Sequence, residues 1–139
     1  PQLVFTGCAL EIAKEKNIFG FSNHFLETVM LKFATSGWLV QAYTDDVLSG
    51  GMMVLIHDRV ASYFYTCSSR LGRSTHIPTG MALHAMEYSQ REGADIFDFC
   101  SVYDERYPKD HPRWKGFTEF KSRFAPISVY YPPTFSRWF

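Results

Sequence analysis

Three apolar segments joined by two tight turns set the narrowest limit on what this chain can fold into. Residues 38–43 are apolar and partly alternating, and Asp45-Asp46 follows as a turn. Residues 51–57 hold the run Met52-Met53-Val54-Leu55-Ile56, and Asp58-Arg59 makes a second turn. Residues 60–67 are rich in Tyr, Phe and Val. Short β-favouring runs spaced by turn residues predict an antiparallel meander of three strands. The unbroken apolar run of the second is apt for a strand buried within a sheet.

Helical spacing surrounds this meander. Residues 8–17 predict a short helix. Ser22 is placed as an N-cap for a helix over 23–36, where Phe25, Leu26, Val29, Met30 and Phe33 recur at helical spacing and Gly37 stands at a C-terminal cap position. The segment 68–77 is polar and basic and leads into Pro78, a good first-turn residue. A helix over 78–91 would place Met81, Ala82, Ala85, Met86 and Ser89 on one face, with Gly93 stopping it. Residues 94–101 predict a strand with Ile96, Asp98 and Cys100 on one face. After a charged loop over 102–111, Pro112 opens a helix carrying Trp114, Phe117, Phe120 and Phe124, which Pro126 ends. Residues 127–131 predict a last strand, closed by Pro132-Pro133. This order predicts a single α/β (α+β) domain: a mixed, mostly antiparallel sheet flanked by helices on both faces.

Composition narrows the function classes. The 139 residues, with 13 Phe, 8 Tyr and 3 Trp, suit one domain with an ample core. Lys plus Arg and Asp plus Glu both total 14, so bulk charge argues for neither nucleic acid nor an anionic membrane. No apolar run reaches the length of a membrane span. The three cysteines, Cys8, Cys67 and Cys100, are distant and odd in number, which points away from a disulfide framework and toward a reducing, cytoplasmic setting. No CxxC or HxxxH spacing suggests zinc. The chain opens on Pro1 in mid-pattern and reads as a piece of something longer.

Three features carry possible chemistry. On a wheel of 100° per residue with Trp114 at zero, Phe117, Phe120 and Phe124 fall at about 300°, 240° and 280°. Lys121 falls at about 340°, inside this aromatic stripe, where a cation must snorkel, pair or face a cavity. Asp98 sits in the otherwise apolar run Ile96-Phe97-Asp98-Phe99-Cys100. A carboxylate there either serves a cleft at the strand end, or caps the following loop or pairs with a lysine. The basic segment Arg70-Leu71-Gly72-Arg73-Ser74-Thr75-His76 precedes a helix start. Arg70, Arg73 and the amides before Pro78 therefore form either an anion site or a solvated turn.

The ordered set resembles the second GNAT-like domain of FemABX-type aminoacyltransferases over the whole chain. Tyr63-Phe64-Tyr65-Thr66-Cys67-Ser68-Ser69 matches the small and polar run after a Tyr-containing strand. Pro78 to Gly93 followed by Phe97-Asp98-Phe99 matches a Pro-started helix and a strand with a central Asp. Gly116-Phe117-Thr118-Glu119-Phe120-Lys121-Ser122-Arg123-Phe124 matches a Gly-x-x-x-Phe-Lys-x-x-Phe signature. The resemblance implies a fold related to N-acetyltransferases and a missing N-terminal GNAT-like domain. It also implies transfer of an amino acid from aminoacyl-tRNA to an amine of a peptidoglycan-precursor peptide, with no bound cofactor. It places Phe120 and Lys121 at the acyl-transfer site. Together with the readings above, Lys121 and Asp98 are the catalytic candidates, and Phe120, Tyr65, Arg70 and Arg73 the substrate-binding ones.

The chain departs from that pattern where Cys100 and Ser101 replace the glycines after the strand aspartate. The Arg/Gln-x-x-Gly-x-Gly/Ala pattern of acetyl-CoA enzymes is not met by residues 70–75. An acyl-CoA-dependent N-acetyltransferase acting on a small amine is the alternative donor reading. A non-catalytic binding module on the same fold is the alternative of another class.

Overall fold

The computed structural model describes residues 22–109 and 111–131. The chain divides into two compact units that meet in sequence between Cys100 and Ser101. The expected helix over 8–17 lies outside the described residues.

In the first unit, helix α1 (Asn23–Lys32) starts at Ser22, whose Oγ accepts the Phe25 N–H at 3.2 Å, the capping expected of a serine there. It ends at Phe33 rather than residue 36, and Gly37 does not cap it but opens strand β1 (Gly37–Thr44). A Cβ on Gly37 would lie 3.0 Å from both Phe33 Cβ and Leu55 Cδ2, so close packing is what calls for glycine.

Strands β2 (Val47–His57) and β3 (Val60–Ser68) complete the meander. β1–β2 and β2–β3 pair antiparallel, with Thr44 opposite Val47 and His57 opposite Val60. Both connections are two-residue turns. Asp45 and Asp46 have φ of 48° and 61°, and Asp58 and Arg59 have φ of 48° and 63°. Two consecutive positive φ values match the right-handed twist of the flanking strands, and aspartate tolerates them better than most residues. Arg59 gains a forked ion pair with Asp95, Nε to Oδ2 and Nη2 to Oδ1, both 2.5 Å.

Helix α2 (Arg70–Ser74) follows β3 directly, where the sequence suggested a basic loop. Helix α3 (Ile77–Arg91) then runs back, starting at Ile77 with Pro78 in its first turn. Strand β4 (Ile96–Asp98) adds parallel to β3, giving a four-stranded sheet of order β1-β2-β3-β4. The fold is therefore the mixed, mostly antiparallel sheet with flanking helices that the sequence implies.

The sheet is buried on both faces. Leu26, Val29, Met30 and Phe33 of α1 and its cap pack on Met53, Leu55, Cys67 and Tyr65. On α3, Met81, Ala82, Ala85 and Ser89 are buried, as the spacing predicts, while Met86, expected on the same face, is half-buried; Ile77 and Met81 meet Gly50 of β2. Met52, Met53 and Val54 are fully buried, as a central strand requires.

Two expected strands change. The strand expected over 94–101 is only Ile96–Asp98, because Cys100 turns to φ 59° and its N–H donates to Asp98 Oδ1 at 2.7 Å, replacing a ladder bond with a local one. The strand expected over 127–131 does not form: no ladder pairs those residues among the described ones. Ile127, Val129, Tyr130 and Tyr131 are exposed, and strand propensity without a paired edge does not hold a strand.

In the second unit, a 3-10 turn (Pro112–Trp114) leads into helix α4 (Lys115–Ser122). The preceding loop is tied by Arg106, whose guanidinium grips Asp104 at 2.7–3.0 Å and reaches the Tyr131 carbonyl at 3.3 Å.

Candidate functional site

In the first unit the polar and aromatic groups gather where β3 and β4 part. The two strands pair at Val60–Ile96, Ala61–Phe97 and Ser62–Asp98, after which β3 continues to Ser68 while the other chain turns away at Cys100. Tyr63, the first residue past the last pair, is buried and packs its ring on Phe99 at 5.7 Å. Burial raises the Tyr63 pKa above the ordinary tyrosine value, a Thr66 hydrogen bond pulls the other way, and nearby Cys67 and Cys100 add smaller upward effects.

Asp98 is exposed, and one of its oxygens receives the Cys100 amide. It thus caps the loop after β4 while its carboxylate stays open to solvent. Tyr65, a substrate-binding candidate from the sequence, is half-buried against the α1-side core. The residue at the parting of the strands is instead Tyr63, which the sequence reading passed over. A register shift between Met53 and Val54 sets Met53 opposite Tyr65 and Val54 opposite Tyr63, so simple alternation along β3 cannot assign their faces.

The basic segment after β3 is ordered by backbone needs. Ser69 N–H donates to the Ser49 carbonyl at 2.9 Å, and Ser69 Oγ caps α2 by accepting the Gly72 N–H at 3.1 Å. A Cβ on Gly72 would lie 2.2 Å from the Ser49 carbonyl oxygen, so glycine here answers a close approach of α2 to β2. Arg73 Nη1 donates to the Ser68 carbonyl at 2.6 Å. The amides of Arg73, Thr75, His76, Thr79 and Gly80 all donate to backbone carbonyls of this segment. Arg70 is exposed on α2. The two arginines therefore differ: Arg73 braces the end of β3, and Arg70 projects from the helix surface.

In the second unit, Phe120 and Lys121 are neighbours on α4. Lys121 is buried, 8% exposed, and its Nζ donates to the Ser101 carbonyl at 2.6 Å. Phe120 is half-buried and meets Phe124 edge-on at 5.4 Å. Phe117 is 45% exposed, so the aromatic stripe is not a uniformly buried face.

An open cleft of about 520 Å³ also lies between β1 and α3, lined by Trp38, Gln41, Gly80, Met81, His84 and Tyr88 among others. None of the six residues marked from the sequence lines it, and no Asp, Glu, Lys or Arg is among its lining residues. Among the described residues no group of three or more His, Cys, Asp or Glu could hold a metal ion, and no helix is long and apolar enough to cross a membrane.

No protein-family model matches the chain, and no curated protein sequence matches it. Solved structures do share its fold. An aminoglycoside acetyltransferase from an uncultured soil metagenomic sample, in complex with sisomicin, aligns with a TM-score of 0.65 at 11% identity, over 100% of this chain and 89% of that one. The aminoglycoside 6'-N-acetyltransferase AAC(6')-IG of Acinetobacter haemolyticus aligns at 0.62 and 11% identity, over 96% and 92% of the two chains. A transcriptional regulator from Bacillus halodurans C-125 aligns at 0.59 and 12% identity, over 98% and 92%. The chain has a GNAT-like fold; the likeness extends to the fold alone and does not single out the FemABX group.

Proposed function

We propose that this chain is an N-acyltransferase that moves an acyl group from a coenzyme A thioester to an amine. The observation that carries this reading is the likeness of fold, over essentially the whole chain, to two aminoglycoside acetyltransferases. The parting of β3 from β4, beside a buried tyrosine and an exposed carboxylate, supplies groups suited to such chemistry.

In the reaction the amine lone pair attacks the thioester carbonyl. A C–N bond forms, the C–S bond breaks, the amine loses a proton and the departing thiolate gains one. Asp98 orients the amine or accepts its proton. Tyr63, kept neutral by burial, is the kind of donor the thiolate needs. Arg70, exposed on α2, contacts the donor's phosphates, with Arg73 holding the end of β3 beneath it. On the first unit Tyr65 contacts substrate; on the second, Phe120 contacts substrate and Lys121 is the catalytic candidate, its Nζ held on the Ser101 carbonyl. Much of the rate comes from positioning two bound substrates.

A second donor, aminoacyl-tRNA, rests on the resemblance of the Gly116–Phe124 signature. On that reading the acceptor is an amine of a peptidoglycan-precursor peptide, the setting is cytoplasmic, and a further GNAT-like domain completes the cleft. The chemistry at the carbonyl is the same, with an ester oxygen leaving in place of sulfur.

The test is direct. The purified chain is incubated with a panel of amines and either acetyl-CoA or aminoacyl-tRNA, and products are read by mass. A mass gain of one acetyl group with release of free thiol supports the first donor. Transfer from aminoacyl-tRNA alone replaces it with the second. Binding of an amine without transfer from either donor favours a non-catalytic module.

A further inference from the structure

A row of rings runs along α3 and stops short. Tyr88 and His84, four residues apart, stand near-parallel with ring centres 6.4 Å apart. Trp38 of β1 meets Tyr88 edge-on at 5.0 Å. The next place in the row, four residues before His84, is Gly80, on the same side of the helix. All four residues line the open cleft of about 520 Å³ between β1 and α3, within the first unit.

Gly80 has no reason in the fold itself. A Cβ there would meet nothing within 4 Å, whereas one on Gly50 or Gly72 would strike a neighbour. Gly80 does not take a positive φ either. Glycine weakens a helix relative to alanine, so what it provides here is bare backbone facing open space, which suits close approach by a bound molecule. Trp38 adds a second sign. Its Nε1 is shut from water and has no hydrogen-bond partner among the described residues. Turning the indole toward the cleft breaks no hydrogen bond, and an acceptor met there satisfies a costly orphan donor.

The lining sets the ligand's chemistry. The volume lies in the range of small-molecule sites. With no Asp, Glu, Lys or Arg in the wall, a bound charge would lose its hydration without a counter-charge. Val40, Ala42 and Met81 supply apolar surface, against which a polyol would leave its hydroxyls unpaired. A flat ring with apolar faces and an acceptor on its edge suits both parts of the wall. Gly80 and Tyr88 stand two helical turns apart, about 12 Å, so a molecule that reaches both ends is elongated.

We propose that this cleft binds an elongated, neutral, flat heteroaromatic molecule. One ring lies over Gly80 and continues the row of His84 and Tyr88, and an acceptor atom of the ligand receives the Trp38 N–H. The site is separate from the groups where β3 and β4 part, since β1 lies two strand spacings from β3, about 10 Å. It stands whether or not the chain transfers acyl groups.

The experiment titrates the 139-residue chain into riboflavin and, separately, lumichrome, two neutral three-ring heteroaromatics, and follows quenching of probe fluorescence. Glucose and spermidine serve as polyol and polycation competitors. Saturable quenching at one probe per chain is expected, undisturbed by either competitor. Gly80→Leu fills the space over the helix and should weaken binding at least about tenfold, with the melting temperature held or raised because leucine favours a helix. Trp38→Phe keeps a ring and deletes the N–H. It should weaken binding about five- to tenfold without lowering the melting temperature, since the lost donor had no partner. No saturable quenching of either probe overturns the site, as does binding unchanged in Gly80→Leu. Binding unchanged in Trp38→Phe overturns the acceptor contact, a test that holds even if Gly80→Leu fails to fold. Displacement by spermidine or glucose overturns the neutral aromatic class.

Discussion

Lys121 Nζ donates to the Ser101 carbonyl oxygen at 2.6 Å, twenty residues away in sequence, so the buried cation is engaged by backbone. A buried ammonium with a backbone acceptor ties a helix to a loop. Its removal should therefore register in stability as well as in turnover.

Replacing Lys121 with Met keeps most of the stem and deletes the donor. Hydrogen bonds to charged groups contribute about 1.5–3 kcal/mol, and relief of the buried charge offsets part of that. The variant should lose about 1–2 kcal/mol in urea unfolding and show kcat reduced at least about tenfold. Unchanged stability with a large loss of kcat would instead assign Lys121 to the reacting atoms.

Asp98→Asn separates turn from charge. The amide oxygen can still accept the Cys100 N–H, so the fold after β4 should persist, with thermal unfolding close to wild type. If the carboxylate orients or deprotonates the amine, kcat/KM should fall about 10²- to 10⁴-fold. Wild-type kcat/KM in this variant would leave Asp98 as a loop cap alone.

Gly72→Ala tests the packing of α2. Its Cβ would sit 2.2 Å from the Ser49 carbonyl oxygen, a backbone atom that cannot rotate away. Overpacking of this kind costs about 1–3 kcal/mol, to be read as a lowered denaturation midpoint. A neutral substitution would mean that α2 can lift from β2 without cost.

The Tyr63 proton gives a signed pH dependence. Burial raises its pKa in the folded chain, so the folded state keeps the proton where an unfolded tyrosine releases it. The contribution is intact below the ordinary tyrosine value, about 10, and is lost as pH rises through the folded value. Tyr63→Phe cannot ionise, so its stability should fall less steeply than wild type between about pH 9 and 11 in urea titrations. Parallel curves would place the Tyr63 hydroxyl in water.

The three-strand meander and the helix over 77–91 were legible because they rest on local rules. Paired turn residues and apolar runs mark hairpins, and the Met81, Ala82, Ala85, Ser89 spacing marks a buried helical face. Asp98 as a loop cap and Ser22 as a helix cap were also readable, since a side chain that bonds two or three residues along the chain needs no distant partner.

What the tertiary structure decided are matters of long-range pairing. Residues 127–131 have strand composition, but among the described residues no strand pairs with them, and sequence cannot supply one. The β3–β4 pairing, which stops at Ser62–Asp98, decided that Tyr63, not Tyr65, stands where the two strands part. Gly72 lay in a segment readable as an anion site or a solvated turn; the Ser49 carbonyl across the fold explains the glycine. Lys121 stood out against its aromatic neighbours, but only the Ser101 carbonyl, brought to it by folding, shows why a cation can be buried there: the desolvation it suffers is met by an acceptor that no helical wheel contains.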